Sequence, residues 1–224
     1  MPIWVLMVAA FAANEFDTGI LLIAGGGHAL VVADAALAMG IKLGGFYDDN
    51  EDAPLAKGEP SSRWLGTIES LDANQLVGKP WIVCLGDLVL RRRVVDRMYG
   101  AEEDAQRVLH PSAVISPNSI ICSGVFVGPM AVVNPRARVL DHAIINTGSI
   151  IEHDCLVAEN VHIAPGAVLG GGVRIGNDTL VGLGARVLPG VSVGQGCTIG
   201  AGAVVTRDVP DGSTVIGCPA EICE

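Results

Sequence analysis

From Ile115 to Val205 an aliphatic residue occupies every sixth position without a miss, running through Ile121, Val127, Val133, Val139, Ile145, Ile151, Val157, Ile163, Leu169, Ile175, Val181, Val187, Val193 and Ile199. Two residues before most of them stands a small or β-branched residue, as at Ala131, Ala137, Ala143, Val161, Ala167, Thr179, Ala185 and Ala203. A hexapeptide repeat of this kind predicts a parallel β-helix, in which each hexad makes one short strand and a turn, and three hexads close one triangular coil. The aliphatic side chain points inward and stacks on its equivalents in the coils above and below. Gly170, Gly171, Gly172, Gly182, Gly190 and Gly194 mark corners that need positive φ or a close backbone approach.

Upstream the pattern changes. Residues 20–24 read as a buried strand, followed by a glycine loop, a helix over about 28–39 and a second strand ending at Asp48 and Asp49. This is the opening of an α/β fold with a parallel sheet. Residues 50–64, with Pro54, Gly58 and Pro60, read as a loop, "WIVCLG" as a third strand, and "DLVLRRRVVDRM" as a helix whose Arg91 to Arg93 form a solvated face. The expected organisation is an apolar extension over 1–19, a Rossmann-like α/β domain over 20–108 and a β-helix over 109–224.

Composition narrows the partners. A formal charge of -10 leaves no broad basic face for nucleic acid or an anionic membrane. The lysines are Lys42, Lys57 and Lys79, so beyond residue 108 an anionic ligand meets only Arg136, Arg138, Arg174, Arg186, Arg207 or a histidine. Six cysteines without a CxxC pair fit reduced thiols and a cytoplasmic protein, with Cys122, Cys155 and Cys197 as small core or turn residues. The apolar start ends in Ala-Phe-Ala but carries no Lys or Arg, and is shorter than the roughly 20 residues a bilayer span takes; it reads as a packed extension.

Two places carry candidate chemistry. The first is the carboxyl edge of the predicted sheet. Gly25, Gly26, Gly27 and His28 follow a strand and open a helix, so their N–H groups can face a phosphate at the positive end of the helix dipole. Leu30 stands where a dinucleotide fingerprint needs glycine. Asp48 and Asp49 close the next strand, where a carboxylate can accept from a ribose hydroxyl or a base N–H, and Gly86-Asp87 ends the third strand on the same edge.

The second is "NTGSIIEHDC", a polar interruption of the repeat. Neutral imidazole can take a proton from an attacking amine or hydroxyl near neutral pH. Glu152 or Asp154 beside His153 could fix its tautomer and stabilise the imidazolium. Asn146 and Thr147 complete the cluster. One coil on from His153 stands Gly171, whose N–H can serve as an oxyanion donor. His162 is half a coil away and faces another side of the prism, so the two histidines share a pocket only where two prisms meet, in a homo-oligomer. Zinc is not expected: His142, His153 and His162 are spaced 11 and 9 apart, which does not converge three imidazoles.

The motifs "GGGH", "FYDDN", "CLGD", "HPSAVISP", "INTGSIIEHDC" and "GCPA", in that order, resemble the bacterial nucleotide-amino-sugar N-acetyltransferases of the bacillosamine and perosamine type, a family that also includes sialic acid O-acetyltransferases. The resemblance implies a left-handed hand for the β-helix, a homotrimer with sites between subunits, a nucleotide-activated amino sugar held by the N-terminal domain, and acetyl-CoA in the grooves between neighbours. It implies His153 as base with Asp154 as its acidic partner. Asn146 and His28 fall on the acceptor side, and Asp48 and Asp49 on the nucleotide. His162 and Gly171 approach the thioester, while Arg186, Arg207 and Pro219 serve the coenzyme. The implied reaction is direct acetyl transfer to a sugar 4-amino group, with sugar O-acetylation and a non-catalytic trimeric scaffold as the alternatives. Two positions depart from the pattern: Leu88 replaces a usual Asn, and Glu221 a usual Lys or Arg, leaving Arg207 to meet the coenzyme 3'-phosphate.

Overall fold

The structure, a computed structural model, describes residues 19–98, 100–102 and 105–223. The apolar extension, apart from Gly19, lies outside the described residues. Four parallel strands, β1 (Ile20–Ile23), β2 (Leu43–Tyr47), β3 (Trp64–Gly66) and β4 (Trp81–Val83), form a sheet in the order β3-β2-β1-β4. Strand alternation sends Ile20 and Leu22 toward α1 (Gly27–Ala38), and Leu21 and Ile23 toward Val94 and Met98 of the α3 region (α3, Leu88–Arg97). The segment expected to be a plain loop contains a short helix, α2 (Pro54–Lys57), and runs on into β3, a strand too short to show a period in the sequence.

The remainder is a left-handed β-helix. Strand β5 (Val108–Leu109) already pairs with β8 (Phe126–Val127). From β6 (Val114–Ile115) to β21 (Val204–Val205) each two-residue strand ends on one of the periodic aliphatic residues, and from Val127 onward these are buried. Each strand pairs in parallel with its equivalent one coil away, as Ile144-Ile145 does with His162-Ile163. Ala131, Ala137, Ala143, Ala167, Ala185 and Ala203 are fully buried, because the tight corner leaves room inside for a methyl group only. The coil ends in an antiparallel pair, β22 (Thr214–Gly217) and β23 (Ala220–Ile222).

The corner glycines divide by cause. Gly172 and Gly190 have φ of +71° and +76°, whereas Gly170, Gly171, Gly182 and Gly194 sit where a Cβ would meet an atom of a neighbouring coil within 3 Å. All six cysteines are free thiols, with Cys155 and Cys197 buried in the coil core. Among the described residues no helix is long and apolar enough to cross a membrane.

The α/β domain rests on the β-helix through one shared core: α1 residues pack with Val108, Phe126 and Ile144, which face outward from the coil. The expectation that Arg91 to Arg93 form a solvated face is corrected for Arg91, which is 1% exposed. Its guanidinium reaches across to the coil and bonds Asn160, because α3 lies directly on a β-helix corner.

Candidate active site

His153 stands in the turn between β12 (Ile150–Ile151) and β13 (Leu156–Val157). Its Nδ1 is 2.7 Å from Asp154 Oδ2. Asp154 in turn accepts from Arg136 at 2.5 Å (Nε to Oδ1) and 2.7 Å (to Oδ2). The Arg136 hydrogen bonds first, and that of His153 second, hold the Asp154 carboxyl well below the usual carboxylate range. An ionised Asp154 accepts only, so the shared proton sits on Nδ1 and leaves the Nε2 lone pair free to act as a base. Glu152, the other acidic candidate, takes no part in orienting the ring; it accepts from the His153 N–H at 3.3 Å.

That ring lies over Gly171. A Cβ at residue 171 would fall 2.7 Å from both Cε1 and Nε2 of His153, so only glycine fits beneath it. The Gly171 carbonyl accepts from Gly190, while its N–H bonds no carbonyl among the described residues. The corner therefore joins a base, its orienting carboxylate and an unpaired N–H donor. Arg136, which the sequence offers only as a possible contact for an anionic ligand, anchors the carboxylate instead; its signal is its place one coil before Asp154, in the same column.

A second polar cluster lies half a coil away, under the α/β domain. His162, in β14 (His162–Ile163), follows Phe126 and Ile144 in the row of outward-facing residues along that sheet. Asn146 Nδ2 is 3.2 Å from its Nε2, and the Gly86 carbonyl 3.3 Å from its Nδ1. Those partners select the neutral tautomer with the proton on Nδ1. Burial first, and the Arg91 charge second, lower its pKa to about 4. His28 sits beside it, with ring centres 6.3 Å apart, and packs edge-on to Phe126 at 5.3 Å. Burial also lowers His28 to about 4, and its Nε2 has no hydrogen-bond partner. Thr147 donates its N–H to Asn146 Oδ1 at 2.8 Å, which fixes the amide's orientation.

The glycine loop borders this cluster. Gly25 is buried and donates its N–H to Asp48 Oδ2 at 2.7 Å, while Asp48 Oδ1 accepts from Asn50 N at 2.8 Å. Gly26 and Gly27, at the start of α1, have no atom within 4 Å of where a Cβ would stand, so the helix N-terminus opens onto free space. Asp49 is exposed and accepts from Glu69 N at 3.3 Å. Asp87 caps α3 by accepting from Leu90 N at 2.8 Å. Leu88, the departure from the family pattern, contributes through its carbonyl, which accepts from Asn160 Nδ2 at 2.9 Å.

The remaining candidates lie apart from both clusters. Arg186 is exposed in β18 (Arg186–Val187). Arg207 pairs with Glu221 near the end of the coil, and Pro219 stands in the exposed turn between β22 and β23. Within one chain, then, His153 and His162 occupy different corners. Among the described residues no group of His, Cys, Asp or Glu is arranged to hold a metal ion.

Residues 19–98 match the family described as the PglD N-terminal domain, and residues 172–207 the hexapeptide repeat of succinyl-transferase. The chain is 35% identical to the acetyltransferase domain of PglB from Neisseria gonorrhoeae, with 92% of this chain and 100% of that one covered at a TM-score of 0.83. It is 34% identical to PerB from Caulobacter crescentus, solved in complex with CoA and GDP-perosamine, with 95% and 100% covered at a TM-score of 0.82. A curated relative, an uncharacterized protein of Acanthamoeba polyphaga mimivirus, is 30% identical over 109 residues; the match takes in 49% of this chain and 21% of that relative's length. The chain belongs to the family of acetyltransferases that join a PglD-type N-terminal domain to a hexapeptide-repeat β-helix.

Proposed function

We propose that the protein transfers the acetyl group of acetyl-CoA to the 4-amino group of a nucleotide-linked amino-dideoxy sugar. The observation that carries this reading is the His153 corner: an imidazole whose Nδ1 is held by Asp154 and whose Nε2 edge packs against Gly171, a residue whose N–H bonds no carbonyl among the described residues. In the reaction the sugar amine attacks the thioester carbonyl and gives its proton to His153 Nε2. The carbonyl oxygen gains negative charge and accepts from Gly171 N–H. Collapse of the tetrahedral adduct breaks the C–S bond, and the CoA thiolate takes up the proton. No covalent enzyme intermediate forms.

The second cluster fits the acceptor. His28 Nε2 is a buried polar atom without a partner, and a sugar hydroxyl would satisfy it. The open N-terminus of α1 at Gly26 and Gly27 suits the sugar nucleotide's phosphates. Asp49 is then the carboxylate that reads the nucleoside, since Asp48 spends its oxygens on Gly25 and Asn50. His162 and Asn146 face the same space, and Arg186, Arg207 and Pro219 serve the coenzyme. The two clusters lie on different corners of one prism, so a complete site needs the second cluster of one subunit beside the His153 corner of the next, in a homotrimer. GDP-perosamine bound to PerB supports a nucleotide-linked amino sugar as the acceptor class.

CoA release from acetyl-CoA, followed with a thiol reagent, tests this against UDP-, GDP- and dTDP-linked 4-amino sugars and free sialic acid. Turnover with one nucleotide-linked amine is expected. Turnover with the free sugar alone would overturn the reading in favour of O-acetylation.

A further inference from the structure

The strongest unassigned feature is a buried guanidinium with no catalytic role. Arg91 of α3 is 1% exposed and bonds four acceptors: Asn160 Oδ1 through Nε at 2.6 Å, the Leu85 carbonyl through one terminal nitrogen at 2.9 Å, and the Asn160 and Val161 carbonyls through the other at 2.8 and 3.2 Å. Leu85 immediately precedes Gly86, and Val161 immediately precedes His162. Gly86 and His162 touch each other across the domain junction. One guanidinium therefore staples the two strands of chain that carry the contact, each one residue upstream of it.

Asn160 completes the staple. Its φ is +55°, a left-handed corner conformation that equivalent corners fill with Gly124 and Gly196. An L side chain is costly there and is retained only where its contacts compensate. The Asn160 side chain accepts from Arg91 and donates to the Leu88 carbonyl at 2.9 Å and to Asp178 Oδ1 at 2.6 Å. Neighbours in the same column do likewise: His142 stacks on Trp81 at 5.7 Å, and Asp178 bonds Arg92 Nε at 2.9 Å. Docking of the α/β domain thus uses the positions where glycine would relax the coil.

We infer that Arg91 and Asn160 are positioning residues for the acceptor site: they set the register of the Gly86 loop against His162, and through His162 the orientation of Asn146. This rests on the acceptor assignment above. The Arg91 charge also bears on both histidines of the cluster, His162 and His28.

Arg91→Met and Asn160→Gly separate positioning from simple stability. Glycine suits the Asn160 corner, so that variant folds with its coil intact. Each change is expected to raise the acceptor KM about tenfold, the worth of one charge-assisted hydrogen bond, with the acetyl-CoA KM within about twofold of wild type. The double variant should fall short of the product of the two single effects, because the bond from Arg91 Nε to Asn160 Oδ1 is common to both. A structural role alone would lower kcat with the active fraction and leave both KM values in place, and that result overturns the inference. A second readout stands apart from turnover: the NMR shift of the His162 Nδ1–H in Asn160→Gly, which keeps the Arg91 charge and should move as the contact with the Gly86 carbonyl changes. An unmoved Nδ1–H signal in folded Asn160→Gly overturns the positioning role even if no amino sugar proves to be a substrate; a moved signal with no turnover would refute the acceptor assignment alone.

Discussion

Two corner columns of the β-helix carry more than one non-glycine residue in left-handed backbone, and they use them differently. At one, His142, Asn160 and Asp178 lie under the α/β domain, with His142 and Asn160 buried. At the other, Arg136 and Asp154 form an ion pair in solvent, with side chains 69% and 41% exposed. The buried column recovers its backbone cost through docking. The exposed one does not, because ion pairs in water contribute little. Its strain is explained by what the pair holds in place, the His153 ring. One backbone position serves assembly on one edge of the prism and holds an imidazole in place on another.

The largest expected effect is at the exposed corner. His153→Ala should lower kcat by about 10²- to 10⁴-fold, the usual worth of a general base, with acetyl-CoA affinity and melting temperature unchanged. Full kcat in that variant would remove the chemical meaning of the corner. Gly171→Ala comes next. Its methyl group would displace the imidazole from 2.7 Å contact, and a shift of about 1 Å is worth roughly 10²-fold in rate. A crystal structure of the variant should show the ring moved.

Replacing each corner residue by glycine contrasts the columns directly. Asp154→Gly should cut kcat about tenfold or more, within the range for an orienting group, while melting at or above the wild-type temperature. Asn160→Gly should melt lower, since it unpairs the buried Arg91. Equal thermal shifts would erase the distinction.

The smallest effect is on pH dependence. His28, His142 and His162 each have a folded-state pKa lowered to about 4, against an ordinary value of 6.5, chiefly by burial. Between those values the unfolded chain binds more protons than the native one, so stability is complete above about 6.5 and falls as pH drops toward 4. His142→Gln should flatten the melting-temperature profile across that window.

The fold was legible because its period is long and unbroken: an inward aliphatic residue every six positions has no alternative packing that buries all of them. The stacking of Gly171 against His153 followed from the same arithmetic. Arg91 was not legible. A run of three arginines on a ten-residue helix looks solvated unless a second surface covers it, and nothing local in α3 announces one. The clue lay elsewhere, in Phe126 and Ile144, apolar at outward positions where Arg138, Arg174 and Arg186 stand on the other faces.

The sequence by itself determined the α/β and coiled architecture, the neighbours of His153 along the chain and the stacking of Gly171 one coil on, because these depend on spacing. Tertiary structure alone decided that Asp48 serves the Gly25 N–H, that Arg136 anchors Asp154, and that His28, His162 and Gly86 meet. These contacts join residues far apart in the chain, and their partners are chosen by how one domain's weight of apolar surface comes to rest on one face of the coil.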